Sequence, residues 1–252
     1  MTVAAPAPKL RFGLALWAAG MVGSAVITAA VLPELLRQMQ EPLPAPVWLL
    51  SLAGLLQSGL ILALAVWAGV GLSPSLGLRA PAFEAAVTGS PIGPVLRSQL
   101  RSGLAGGILG GILLVVAFRY APGPVAELQD RFVIPIVARV LYGGITEEIL
   151  LRWGLMTVLV WLAWRVLQHR QGAVRPGLVW LAISVSALLF AAGHLPAAAV
   201  LLGTLDLPVV AFVMGANTVI GMLFGYLYWR HGLESAMIAH ALAHVVNFVV
   251  NL

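Results

Sequence analysis

The sequence predicts an all-α polytopic membrane protein of about seven to eight transmembrane helices, with a polar catalytic cavity among the C-terminal ones. Three observations carry that expectation. Of 252 residues, 61% are hydrophobic and 9% charged, too few charges to cover a soluble surface. The apolar runs are about twenty residues long, the length an α-helix needs to cross a hydrocarbon core. They also lack the two-residue alternation of barrel strands. Cysteine is absent, which removes disulfides and thiolate catalysis and leaves His, Glu and Asp as the only strong metal ligands. The net charge of +5 comes mostly from arginines between spans, which is a topology signal, and no nucleic-acid motif is present.

In chain order, the short segment Met1 to Pro8, with Pro6, leads without an obvious small-residue cleavage site into a first span, so a retained anchor is expected. That span runs from Phe12 to Leu32 and is expected to end at Pro33, before a polar loop with Glu34, Arg37, Glu41, Pro42, Pro44 and Pro46. A second span, Val47 to Val70, precedes a turn-rich stretch from Gly71 to Pro81. Phe83 to Gln99 reads as an interfacial helix or loop. The third span, Gly103 to Phe118, carries Gly103, Gly106, Gly107, Gly110 and Gly111 at the spacing that lets a neighbouring helix approach closely. Arg119 to Arg131 reads as a loop. Phe132 to Leu167 is apolar but long for one crossing, and Gly143, Gly144 and Gly154 are places for it to kink or divide. Spans from Gly177 to His194, Leu207 to Trp229 and Leu233 to Leu252 follow, with Ala197 to Asp206 as a re-entrant or interfacial piece. The expected division is residues 1–131 as N-terminal helices and 132–252 as the catalytic core.

Cytoplasmic loops carry the excess of Lys and Arg. With the N-terminus inside, Lys9, Arg11, Arg79, Arg97, Arg101, Arg165, Arg170, Arg175 and Arg230 are cytoplasmic, while Arg37, Arg119 and Arg131 are not, nine against three. Arg139 and Arg152 fall within the membrane region and are left out. No internal repeat stands out, which weakens a transporter built from repeated halves.

The chemistry concentrates in Gly143-Gly144-Ile145-Thr146-Glu147-Glu148-Ile149-Leu150-Leu151-Arg152-Trp153. Three charges near a helix centre cost about 8 to 10 kcal/mol before pairing or water access. Glu148 and Arg152 lie one turn apart, acid first, the favourable order for a helical pair. Glu147 points about 100° away and is the carboxylate without a partner in its own helix, so it is the candidate general base. His194 closes the span containing Phe190. His240, His244 and Asn247 share one face of the last span. Residue 241 is Ala, so the His-Glu-x-x-His zinc-protease motif is absent. Asn217 reads as an interhelical hydrogen-bonding residue. So few polar groups in an apolar chain must share one interior cavity.

Glu147-Glu148-x-x-x-Arg152, Phe190-x-x-x-His194 and His240 with a polar residue four later, in this order on successive helices, resemble the CPBP intramembrane proteases. That family includes the type II CAAX prenyl endopeptidases and bacteriocin-processing or self-immunity proteins. The resemblance covers residues 132 to 252 and implies that Glu147 with His194 activates water, while His240 and residue 244 hold an oxyanion or a metal. The family usually has Asn or Asp where this chain has His244. The implied cofactor is Zn²⁺ or another divalent metal held by Glu147, His194, His240 and His244; a metal-independent route stays open. Glu148, Arg152, Phe190 and Asn247 are the supporting residues.

The function expected is hydrolysis of a peptide bond near the membrane surface, with a peptide or membrane-associated protein as substrate and the bilayer as the other partner, in a bacterial plasma membrane. The alternatives are a non-catalytic scaffold or self-immunity protein, and a proton- or ion-coupled transporter.

Overall fold

The computed structural model describes residues 8–38 and 45–251; Met1 to Ala7, Glu41, Pro42 and Pro44 lie outside the described residues. These form ten helices joined by short turns, with no strand among them: α1 (Lys9–Gln38), α2 (Val47–Leu76), α3 (Pro81–Thr88), α4 (Ile92–Arg119), α5 (Gly123–Arg131), α6 (Ile136–Leu167), α7 (Pro176–Gly193), α8 (Leu195–Leu202), α9 (Leu207–His231) and α10 (Leu233–Val250). Seven spans are long and apolar enough to cross a membrane, with α7 and α8 counting as one.

Several boundaries differ from those the sequence predicts. α1 does not stop at Pro33 but continues to Gln38, and α2 runs past Gly71 and through Pro74 to Leu76. A proline inside a helix costs about 3 kcal/mol through a lost hydrogen bond and a clash. In an apolar surround, leaving the helix would strand several backbone groups instead, so continuing is cheaper. α2 ends on Gly77, whose φ of 71° and N–H to the Ser73 carbonyl form a left-handed cap. The stretch expected to be an interfacial helix or loop is divided between α3 and the first turns of α4. Arg119 to Arg131 is not all loop: Pro124 presets the first turn of α5, and Arg131 pairs with Glu127 at 2.6 Å one turn earlier. Ala197 to Asp206 is largely the short helix α8.

α6 is a single helix of 32 residues, not two. Its middle is wound more widely, with π-helical stretches over Arg139–Glu147 and Ile149–Met156 that meet at Glu148. Such π segments widen the helix and re-aim side chains, and they concentrate at functional sites.

The glycine stripe of α4 packs as its spacing predicts. A methyl at Gly103 would stand 2.7 Å from Ile238, at Gly107 2.6 Å from Leu242 and at Gly111 2.5 Å from Val246, all on α10. α4 and α10 therefore touch backbone to side chain along their length, and α10 is the helix that carries His240 and His244. On its other flank α6 is anchored to α1, where Thr146 donates to the Gly20 carbonyl at 2.7 Å.

Candidate active site

Glu147 and Glu148 are adjacent in sequence but occupy opposite environments. Glu148 is fully buried, whereas the Glu147 side chain keeps 17% of its surface accessible. The Glu148 carboxylate takes Arg152 at 3.2 Å, as the one-turn spacing predicts, and also accepts from His240 Nδ1–H at 2.8 Å. That second contact joins α6 to α10 and has no counterpart in the sequence pattern. Arg152 is held in turn by donation to the Gly221 carbonyl at 3.1 Å and by the faces of Phe190 and Phe224, whose centroids lie 5.2 and 5.7 Å away.

His240 is clamped on both faces, stacking on Phe224 at 4.6 Å and on His244 at 4.9 Å. With Nδ1 fixed on Glu148, its Nε2 points toward Glu147 and lies 3.9 Å from Oε2. His194, at the junction of α7 and α8, donates Nδ1–H to the Phe190 carbonyl at 2.9 Å, and the Phe190 ring meets it edge-on at 4.7 Å. Both histidines thus have one ring nitrogen committed to a fixed acceptor, which sets the tautomer and leaves Nε2 for the cavity.

Glu147, Phe190, His194, His240 and His244 all line one cavity of about 160 Å³, together with Arg139, Tyr142, Gly143 and Asn217. Asn247 is not among the lining residues: buried on α10, its side-chain and backbone oxygens accept from Asn251 at 3.1 and 2.6 Å. Asn217 does not bridge helices; it donates to the Val213 carbonyl of its own helix at 2.8 Å and faces the cavity. The cavity residues the sequence reading passed over are Arg139 and Tyr142. A signal existed, since Arg139, Gly143 and Glu147 recur at four-residue intervals on one helix face. Arg139 donates Nε–H to the Ile134 carbonyl at 2.9 Å. Beside the cavity, an apolar groove of about 340 Å³ runs between α4 and α9, and the two share Ile220.

Among the described residues no group of three or more His, Asp or Glu side chains stands close enough to hold a metal ion. As the side chains are arranged, the donor set is not a formed metal cradle.

Residues 129–246 match the family model described as type II CAAX prenyl endopeptidase Rce1-like. Through this segment the chain is similar to the Rce1-like family. The Rce1-like segment contains Glu147, Glu148, Arg152, Phe190, His194, His240 and His244, while Asn247 falls just beyond it. The family is one of endopeptidases, so peptide-bond hydrolysis by an integral membrane protein is the activity class that the match supports. No curated protein and no solved structure matches the chain.

The glycine before this Rce1-like cluster carries a prediction. A methyl at position 143 would stand 2.8 Å from His244 Nε2 and 3.1 Å from His240 Nε2. Gly143→Ala should therefore push the two imidazoles aside while keeping the helix itself, since Ala favours a helix over Gly by about 1 kcal/mol. On an endopeptidase reading of the cavity, turnover should fall about 100-fold, the cost of displacing site groups by about 1 Å. Cleavage rate and unfolding midpoint, measured together, check this; turnover within threefold of the parent would mean that the histidines yield without consequence.

Proposed function

We propose that the cavity hydrolyses a peptide bond using a water held between Glu147 and His240. The observation that carries the reading is the pair of contacts on one imidazole: Nδ1 on buried Glu148 at 2.8 Å, and Nε2 at 3.9 Å from the accessible Glu147. A gap of that size admits a water that hydrogen-bonds to both at about 2.8 Å, at the apex of a triangle. Glu147 takes a proton from this water as its oxygen attacks the scissile carbonyl carbon, and returns it to the departing amine. His240 accepts the water's other hydrogen and fixes the attack direction; Glu148 and Arg152 hold His240 in the required tautomer, as the third member of a triad does.

Neutral imidazoles with Nδ1–H committed elsewhere are acceptors at Nε2, so the oxyanion calls for other donors. The second N–H of Asn217 and the Tyr142 hydroxyl line the same cavity and carry hydrogen for that purpose. His194 and His244 complete the polar wall and become donors when protonated. The substrate is a peptide or protein segment that reaches the cavity near the membrane surface.

The test is purified full-length protein in proteoliposomes, offered a mixed peptide library, with cleavage followed by mass spectrometry and pH-driven flux followed in the same vesicles. Specific cleavage without flux is expected. Flux without cleavage would assign the carboxylate and histidines to a transport path, and neither signal would leave the polar core as a scaffold.

A further inference from the structure

We infer that the catalytic cavity opens on the non-cytoplasmic face of the membrane, so that its substrate is a polypeptide segment presented from outside the cytoplasm. This rests on the hydrolase reading for the word substrate, but the sidedness stands on three observations independent of it.

The basic loops gather at one end of the bundle. Leu233 N–H donates to the Arg79 carbonyl at 3.0 Å, and the Glu234 carboxylate accepts from Ala82 and Phe83 N–H at 2.8 and 2.9 Å, tying the α2–α3 turn to the α9–α10 junction. Trp180, in the first turns of α7, stacks on Tyr226 at 5.9 Å and meets Trp229 at 6.1 Å, bringing the α6–α7 loop to the same end. Arg79, Arg97, Arg101, Arg165, Arg170, Arg175 and Arg230 all belong to this end. The opposite end is marked by the cluster of Val125, Val209 and Val213 with Phe118 and Leu195, which joins α4, α5, α8 and α9. It has Arg37, Arg119 and Arg131, two of them paired with Glu34 and Glu127 at 3.0 and 2.6 Å. Internal loops alone thus place seven basic residues at one end and three at the other, and the rule for loop charge makes the richer end cytoplasmic.

The cavity belongs to the poorer end. Ile134 enters it from just before α6 and Arg139 from the start of α6, His194 from just after α7 and Leu114 from the last turns of α4, whereas no lining residue comes from the loops of the basic end. Toward that basic end the cavity has a solid floor. Arg152, Trp153, Thr157, Tyr228 and Leu233 are each at most 2% exposed, and Thr157 and Tyr228 share a hydrogen bond of 2.8 Å. A chain arriving from the cytoplasm would have to pass through that floor.

The chain has no cysteine, so single cysteines can be introduced without a background. Tyr120→Cys, at a site 81% exposed beyond α4, and Gln171→Cys, on the exposed α6–α7 loop, report the two ends. Ile134→Cys reports the cavity mouth. With a membrane-impermeant maleimide on intact cells, Tyr120→Cys and Ile134→Cys should label and Gln171→Cys should label only after permeabilisation. The reverse pattern, or labelling of both ends from outside, would overturn the inference. In a second arm, vesicles of the parent protein meet an impermeant peptide that the purified enzyme cleaves: right-side-out vesicles should cut it at least tenfold faster than inside-out ones. Equal or opposite rates would overturn the inference, whereas purified protein that cleaves no peptide, together with the expected labelling, would remove the hydrolase and leave the orientation standing.

Discussion

Glu147→Gln should abolish cleavage while leaving the protein folded. The amide keeps the volume and a hydrogen-bonding oxygen but cannot take a proton, so the loss is that of the general base, about 10²- to 10⁴-fold in turnover. Folding should be spared because Glu147, unlike Glu148, is partly accessible and lies 3.9 Å from its nearest ionic neighbour. The measurements are single-turnover cleavage in proteoliposomes and the thermal midpoint of the purified variant. Turnover within tenfold of the parent would mean that another group removes the proton, and a collapsed midpoint would make Glu147 a structural residue.

Glu148→Ala should act in the opposite way, through stability first. Its carboxylate pairs ionically with Arg152 and accepts from His240, and Arg152 is 2% exposed. Removing one partner of a buried pair strands the other charge, at a cost of about 3 to 5 kcal/mol. Glu148→Ala should accordingly lower the unfolding midpoint sharply and reduce the yield of monodisperse protein. Replacing the pair together, Glu148→Leu with Arg152→Met, removes both charges and should restore much of the stability without restoring cleavage, because His240 then has no acceptor at Nδ1. A double variant that is both stable and active would show that the Glu148–His240 contact is dispensable. A double variant no more stable than Glu148→Ala would show that the loss comes from packing and not from a stranded charge.

Much of this was legible in the sequence because membranes restrict what a chain can do. Runs of apolar residues of about spanning length can only be helices, and a glycine stripe on one face can only serve close approach. The Glu148–Arg152 pair followed from a four-residue spacing, and the shared face of His240 and His244 from the same geometry. The helix end expected at Pro33, and the turn expected from Gly71 through Pro74, were misread because rules for proline come from water, where a freed backbone group has another partner. The Glu148–His240 contact was not legible at all, since it spans 92 residues and depends on how α6 and α10 dock. Asn247 shares the helical face of His240, yet sits seven residues on, beyond the cavity's reach. Periodicity says which way a side chain points but not how far the cavity extends.

The four-residue spacing of Glu148 and Arg152 also bears on how the protein is made. A helix leaving the ribosome enters the bilayer before its later neighbours exist, and an isolated charge at that moment faces lipid. Because its counter-charge lies in the same helix, Glu148 enters α6 already compensated and does not wait for α10, the last helix described, to arrive. His240 then docks onto a carboxylate already held in place. The order of synthesis and the order of charge compensation therefore coincide, and His240, which the proposed mechanism uses, is set only when α10 docks.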